Sequence, residues 1–169
     1  MSFDPVFARR SIRRYKPDAV PAEKVTTLLE AAMAAPSAHN QQPWEFVVID
    51  DRAILDAIPD VPPYSKRLHE APLAILVCAR LEGLSSPDFF PQDCAAATEN
   101  ILVEAAAQGL GTVWMGIYPK EPLMTAMRKM LHVPDEIVPF SLIAVGYGAE
   151  EKAPSKRYDP ARIHHNSWT

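Results

Sequence analysis

Glycine is scarce in this chain. Six glycines stand against seventeen prolines in 169 residues, which predicts rigid, extended connections between elements. Cysteine is nearly absent. Cys78 and Cys94 form neither a CxxC motif nor a disulfide framework, so a reducing cytoplasm is the expected setting. Long apolar runs are lacking too: the longest, Leu73–Ala79, has seven residues, too few to span a bilayer, and no membrane partner is expected. The first nine residues carry an acid, Asp4, and no apolar run, unlike a secretory signal. The histidines lack metal-ligand spacing: His164 and His165 are adjacent, while His39, His69 and His132 stand alone, so no metal is expected. No Ser-His-Asp or Cys-His arrangement offers a nucleophile, and no catalytic side chain is predicted.

What the chain does have is a basic cluster on an acidic background. Residues 1–16 hold five bases (Arg9, Arg10, Arg13, Arg14, Lys16) against one acid, while the other 153 residues hold 12 bases and 20 acids. Crowded guanidiniums repel, and each carries five donors that want acceptors. As extended chain, Arg9, Ser11 and Arg13 point to one side, and Arg10, Ile12 and Arg14 to the other. Two forked donors flanking a hydroxyl suit a phosphate monoester; a solvated charge run at the N-terminus is the plainer reading. Nucleic acid is disfavoured, because the pI is about 5.7, there is no second basic tract, and no aromatic interleaving suits base stacking.

The pattern alternates helices and strands across what is expected to be one domain, residues 1–169. Phe3, Val6 and Phe7 make a short amphipathic turn. Pro21 suits the first position of a helix in which Val25, Leu28, Leu29 and Ala32 repeat at helical spacing, and Pro36 stops it. Trp44–Ile49 reads as a strand, 51–58 as a brief helix and 59–63 as an irregular connector. Leu73–Ala79 is a second strand, apolar throughout and so central. Residues 91–108 form the longest helix, with Gly109 at its C′ position; its alanines allow close approach of a neighbour, in the core or across a dimer interface. Residues 112–116 read as strand or turn, 120–131 as helix, and 141–147 as a further apolar strand. The tail 148–169 has no period, yet it keeps bulky and basic residues, as an arm that docks would.

Two further stretches join the arginines. Pro36–Trp44 is a loop dense in amide and hydroxyl groups between two prolines. It suits either the edge of a heterocycle or a polar turn after a helix stop. Gly109-Leu110-Gly111-Thr112-Val113-Trp114-Met115-Gly116 lets backbone approach a flat ring. It is not a dinucleotide fingerprint: Trp114 stands where the third glycine belongs, and the segment follows a helix instead of opening one.

Together the three stretches resemble the FMN-dependent nitroreductase family. Arg9, Ser11 and Arg13 match its Arg-x-Ser-x-Arg pattern. Pro36, Ser37, Asn40, Gln42, Pro43 and Trp44 match Pro-Ser-x-x-Asn-x-Gln-Pro-Trp, and Gly109 through Gly116 match Gly-Leu-Gly-Thr-x-Trp-x-Gly. The resemblance implies an α+β fold with a central mixed β-sheet flanked by helices, in an intertwined homodimer with 148–169 as an extended C-terminal arm. It implies FMN as cofactor, held by Arg9, Ser11 and the arm residues Lys156 and Arg157 at the phosphate and ribityl chain. Arg13 would reach the N1/O2 edge. Pro36, Ser37, Ala38, Asn40 and Gln42 would line the isoalloxazine from the partner subunit, and Trp114, Met115 and Gly116 would back it. Arg10, kept among the candidates, and Arg14 match less constrained positions. Electrons would pass from NADH or NADPH through FMN N5 to nitroaromatic, quinone or similar small acceptors in ping-pong order. A flavin-binding sensor or storage module, or a relative specialised for one substrate, stays open. The chain leaves little room for a helical insertion over the flavin, so an open site is expected, with Tyr64, Phe89, Phe90 and Tyr118 as candidate lining.

Overall fold

The computed structural model describes residues 4–58 and 66–168. The expected connector 59–63 and Tyr64 lie outside the described residues, as does Phe3.

The sheet forms where apolar β-branched residues run together. β1 (Trp44–Ile49), β2 (Leu73–Arg80), β3 (Gly111–Gly116) and β4 (Ile137–Gly146) pair in the order β1-β2-β4-β3, antiparallel throughout. The parallel component of the expected mixed sheet is a single bridge between Ser11 and Thr112. β2 is central and buried from Leu73 to Ala79, as its unbroken apolar run predicts.

Successive side chains of β2 feed two separate cores. Ile75 and Val77 face α2 (Ala22–Met33) and α4 (Phe90–Ala107), packing with Leu28, Ala32, Cys94, Ala97 and Ile101. Leu76 and Cys78 face the other layer, with Leu55 of α3 (Arg52–Ala57) and Met124 and Met127 of α5 (Glu121–Leu131). Each fully buried Leu or Ile contributes about 2 kcal/mol of transfer free energy. The alanines of α4 serve the core: Ala97 and Ala105 are fully buried, and α2 comes close enough for Asn100 Nδ2 to donate to Ala31 O at 2.9 Å. Gly109 follows the helix at φ +74°, the left-handed C′ conformation that its position predicts. The shortest helix, α1 (Pro5–Ala8), is capped by Asp4, whose Oδ1 accepts from Val6 N.

β4 begins four residues before the expected 141. Pro139 suggested a boundary, because it has no N–H to give a ladder. The register slips between Val77 and Cys78, whose partners are Ser141 and Pro139, and this irregularity gives the proline a place inside the strand. Pro21 also moves one position, to the cap that precedes α2. Both cysteines are free and buried, and burial pushes each thiol up to about 12, far from reactive thiolate. No helix of the described residues is long and apolar enough to cross a membrane.

Candidate functional site

The arginine stretch lies as extended chain along the outer edge of β3. Ile12 N donates to Thr112 O at 2.8 Å, and Ile12 settles on Gly111, where a Cβ would lie 2.8 Å from Ile12 Cγ2. Only glycine leaves room for the Ile12 side chain here. Tyr15 anchors the end of the stretch. It is buried, its hydroxyl donates to Ile12 O at 2.7 Å, and burial raises its phenol above the ordinary range.

The same stretch is held on its other side by the start of the tail. Lys16 N donates to Tyr147 O and Ala149 N to Arg14 O, at 2.8 and 2.9 Å. Side chains then continue the ladder. Lys152 Nζ donates to Ser11 O at 2.7 Å, and Glu150 accepts from Arg13 N while pairing with Lys152 at 3.1 Å. Glu70 accepts from Arg14 Nε at 2.9 Å and Tyr15 N at 3.2 Å. The Arg13 N–H, with Lys152, lowers the pKa of Glu150, and Arg14 does the same for Glu70. These anchors leave the candidate arginines to point elsewhere.

Arg9 turns toward α4. Its Nε lies 3.1 Å from Glu99 Oε1, yet it is buried without a hydrogen bond of good geometry. Arg9 and Arg10 line a cavity of about 500 Å³ with Gly111, Thr112 and Lys152. Arg13 is exposed and lines a second cavity of about 300 Å³ whose wall is Trp114, Met115 and Gly116, completed by Arg67, Tyr118 and Lys120. A Cβ on Gly116 would meet nothing within 4 Å, so the end of β3 is open to a flat ligand. Ser11 sits half-buried between the two arginines, with its carbonyl held by Lys152. Arg14 is committed to Glu70.

The loop before β1 is wound unusually. His39, Asn40 and Gln42 have φ of 51°, 54° and 47°, three left-handed residues in four positions without a glycine. Ser37 Oγ accepts from Gln42 N at 3.0 Å, and Asn40 Oδ1 accepts from Gln42 Nε2 at 2.9 Å. Beneath them Asp93 of α4, itself buried, accepts from Ala38 N at 2.9 Å and Gln41 Nε2 at 2.7 Å. Asn40 and Gln42 are exposed, Pro36 is exposed, and Ser37 and Ala38 are half-buried.

Within one chain this loop does not join Arg13. It enters β1, one outer strand, whereas the arginine stretch borders β3, the other. Three interstrand spacings, about 15 Å, separate those edges, and neither cavity is lined by a loop residue. The tail residues Lys156 and Arg157 are exposed and line neither cavity. Among the aromatic candidates, Tyr118 lines the Arg13 cavity. Phe90 is buried against it, ring centroids 5.0 Å apart, and Phe89 is 47% exposed.

Sequence reasoning missed Asp93, Glu70, Glu150, Arg67 and Lys120. Only Asp93 carried a signal, as an acid in the first turn of a helix otherwise rich in alanine. The others act through pairings of the folded chain.

The geometry can be set beside known proteins. The model of the Nitroreductase family matches residues 6–62 and 59–147. The chain belongs to the nitroreductase family. Among its nitroreductase relatives is a protein of Methanothermobacter thermautotrophicus described as "Putative NADH dehydrogenase/NAD(P)H nitroreductase", 42% identical over 160 residues, covering 95% of this chain and 84% of that one. A crystal structure under the same description, from Bacteroides thetaiotaomicron, is 41% identical with a TM-score of 0.93, covering 98% and 96% of the two chains. An FMN-dependent nitroreductase from Clostridium difficile is 30% identical with a TM-score of 0.90, covering 98% and 99%. These nitroreductase likenesses run through the arginine stretch, the loop and β3.

Proposed function

We propose that the protein binds FMN and uses it to carry electrons from NADH or NADPH to small oxidised acceptors, nitroaromatics and quinones among them. The observation that carries this reading is the meeting of Arg13 with Trp114, Met115 and Gly116 around one cavity. The residues fit the cofactor. Arg9 Nε is buried 3.1 Å from Glu99 Oε1 without a well-formed hydrogen bond, and Arg9, Arg10 and Lys152 line the neighbouring cavity together with Glu150 and Glu151. The open space over Gly116 admits a flat ring. FMN would supply the two-electron chemistry, with the protein supplying position and field.

Each group then has a task. Arg9 and Ser11 hold the phosphate and ribityl chain. Arg13 meets the pyrimidine edge, where its fixed positive charge favours the electron-rich form in a partly shielded site. Trp114, Met115 and Gly116 back the ring. Pro36, Ser37, Ala38, Asn40 and Gln42 come from a second copy of the chain, which answers the separation of the loop from Arg13. In this homodimer residues 148–169 form the arm that brings Lys156 and Arg157 to the phosphate. Their exposure in the single chain, with that of Tyr158 at 82% and Trp168 at 84%, suits an arm meant for a partner. Residues 1–169 act as one domain, and the buried reduced thiols suit the cytoplasm. Donor and acceptor would enter the open side of the Arg13 cavity in turn, the arrangement that ping-pong kinetics needs.

The test is reconstitution. Apo-protein mixed with FMN should turn yellow, and NADH or NADPH should bleach it anaerobically. An added quinone or nitroaromatic should then restore the colour and sustain turnover. Protein that binds FMN but does not turn over is a flavin-binding module; protein that stays colourless at micromolar FMN removes the reading altogether.

A further inference from the structure

Asp93 and Gln41 form a polar clamp beneath the loop that faces the cofactor. Asp93 projects from the first turn of α4 and is 4% exposed. Both of its carboxyl oxygens are used: Oδ1 takes the Ala38 N–H at 2.9 Å, and Oδ2 takes Gln41 Nε2 at 2.7 Å. Gln41 is fixed from its other side as well. Its Nε2 donates to Ser86 O at 3.0 Å, and its Oε1 accepts from Ser86 N at 3.1 Å. The glutamine amide is therefore held in one orientation, because turning it over would set donor against donor at Ser86 N and acceptor against acceptor at Ser86 O.

The clamp sits under the strained part of the chain. Left-handed conformations at His39, Asn40 and Gln42 are unfavourable for residues with a Cβ, and persist only when the surroundings over-determine them. Asp93 holds the loop at position 38 and, through Gln41, at position 41. The three positive-φ residues lie between or beside those anchors. Asn40 and Gln42 are thereby exposed, with half-buried Ser37 bonded to Gln42 N, while Ala38 N and Gln41 face in.

We infer that Asp93 and Gln41 are positioning residues: they preset the loop so that Ser37, Asn40 and Gln42 meet the flavin ring. This rests on the functional reading above and adds to it two residues that touch neither cofactor nor acceptor. A buried carboxyl in a helix packed on the core is costly unless hydrogen-bonded, and here both of its bonds serve the loop.

The test exchanges the partners. Asp93→Asn keeps an acceptor for Ala38 N but turns an amide N–H₂ against Gln41 Nε2. Gln41→Glu sets a carboxylate against Asp93. In Asp93→Asn/Gln41→Glu the asparagine amide can donate to the new carboxylate, which still accepts from Ser86 N but sets its other oxygen against Ser86 O, so the exchange restores the Asp93–Gln41 pairing and not the whole clamp. Dissociation constants for FMN, from quenching of flavin fluorescence by the apo-dimers, should rise about tenfold in each single variant. They should recover in part in the double variant, to less than the product of the two single losses, with the remainder set by the donor lost at Ser86 O. The visible circular dichroism of bound FMN should change in the singles and revert in part in the double, which a general loss of stability would not produce. Gln41→Leu, on the half-buried loop, should raise the constant alike and serves if Asp93→Asn folds poorly. Folded single variants with unchanged constants and dichroism would overturn the inference, as would a double variant that simply sums the two losses. Wild-type protein that fails to bind FMN instead overturns the functional reading itself.

Discussion

Glu150 and Lys152 hold Arg13 by its backbone surroundings, and its exposed guanidinium lines the cavity with Nη1 3.4 Å from Ser11 O. That division sets a pH dependence. Glu150 and Glu70 have folded-state pKa values below their ordinary 4.5. A depressed carboxyl contributes stability above its unfolded pKa and loses it as pH falls through the folded value. The arginine stretch should therefore loosen below about pH 4.5. FMN affinity at pH 4, relative to pH 7, should fall more steeply in wild type than in Glu150→Gln; parallel profiles, followed by fluorescence titration, would remove Glu150 from this role. Arg13 itself offers the larger effect. One charge-assisted contact is worth about 1.5–3 kcal/mol, and Arg13 is exposed, so Arg13→Ala should weaken FMN by about tenfold with the fold intact. The reduction potential of the bound flavin should also drop; an unchanged potential in the loaded variant would contradict the assignment. At this scale the candidates could be named from residue type, guanidiniums for an anion and amides for a ring edge, and their contact with a flavin belongs to the proposal. Asp93, buried, and Glu150, half-buried, were hard to read because such a carboxyl acquires meaning only from the backbone N–H groups the fold places around it.

At the scale of elements, β3 organises the site because its outer edge stays available to the arginine stretch, with Gly111 as the contact point. Gly111→Ala would bring a methyl within 3.0 Å of three Ile12 atoms. It should destabilise by about 1–3 kcal/mol, the usual range for overpacking, and loosen FMN as the arginine stretch shifts. Adding Ile12→Gly, which also removes the Cβ at 2.9 Å, should recover much of the flavin affinity. Denaturant unfolding with parallel flavin titration separates the effects; a Gly111→Ala protein as stable and as avid as wild type would show that the close approach is unimportant. Helices and central strands were readable from periodicity and apolar runs, with ends off by one to four residues. The largest of these errors, at β4, came from treating Pro139 as a boundary. A proline at a break in register gives up little, and such a break depends on the partner strand, which one-dimensional pattern does not reveal. The antiparallel pairing likewise depends on the order of strands in space.

At the scale of the whole molecule, a single chain presents the loop and the arginine stretch at opposite edges of one sheet, and a tail with Tyr158 and Trp168 exposed. Two copies resolve both features at once if each loop meets the partner's Arg13. The tail's lack of period is the sequence argument for an arm, and its docking on a second copy belongs to the proposal. The most direct measurement is an FMN titration of apo-protein by analytical ultracentrifugation, reading flavin and protein absorbance together. The account predicts one FMN per chain, travelling with a species of twice the chain mass. Flavin bound one-to-one to a species of single-chain mass would contradict the shared site, and no bound flavin at all would contradict the function.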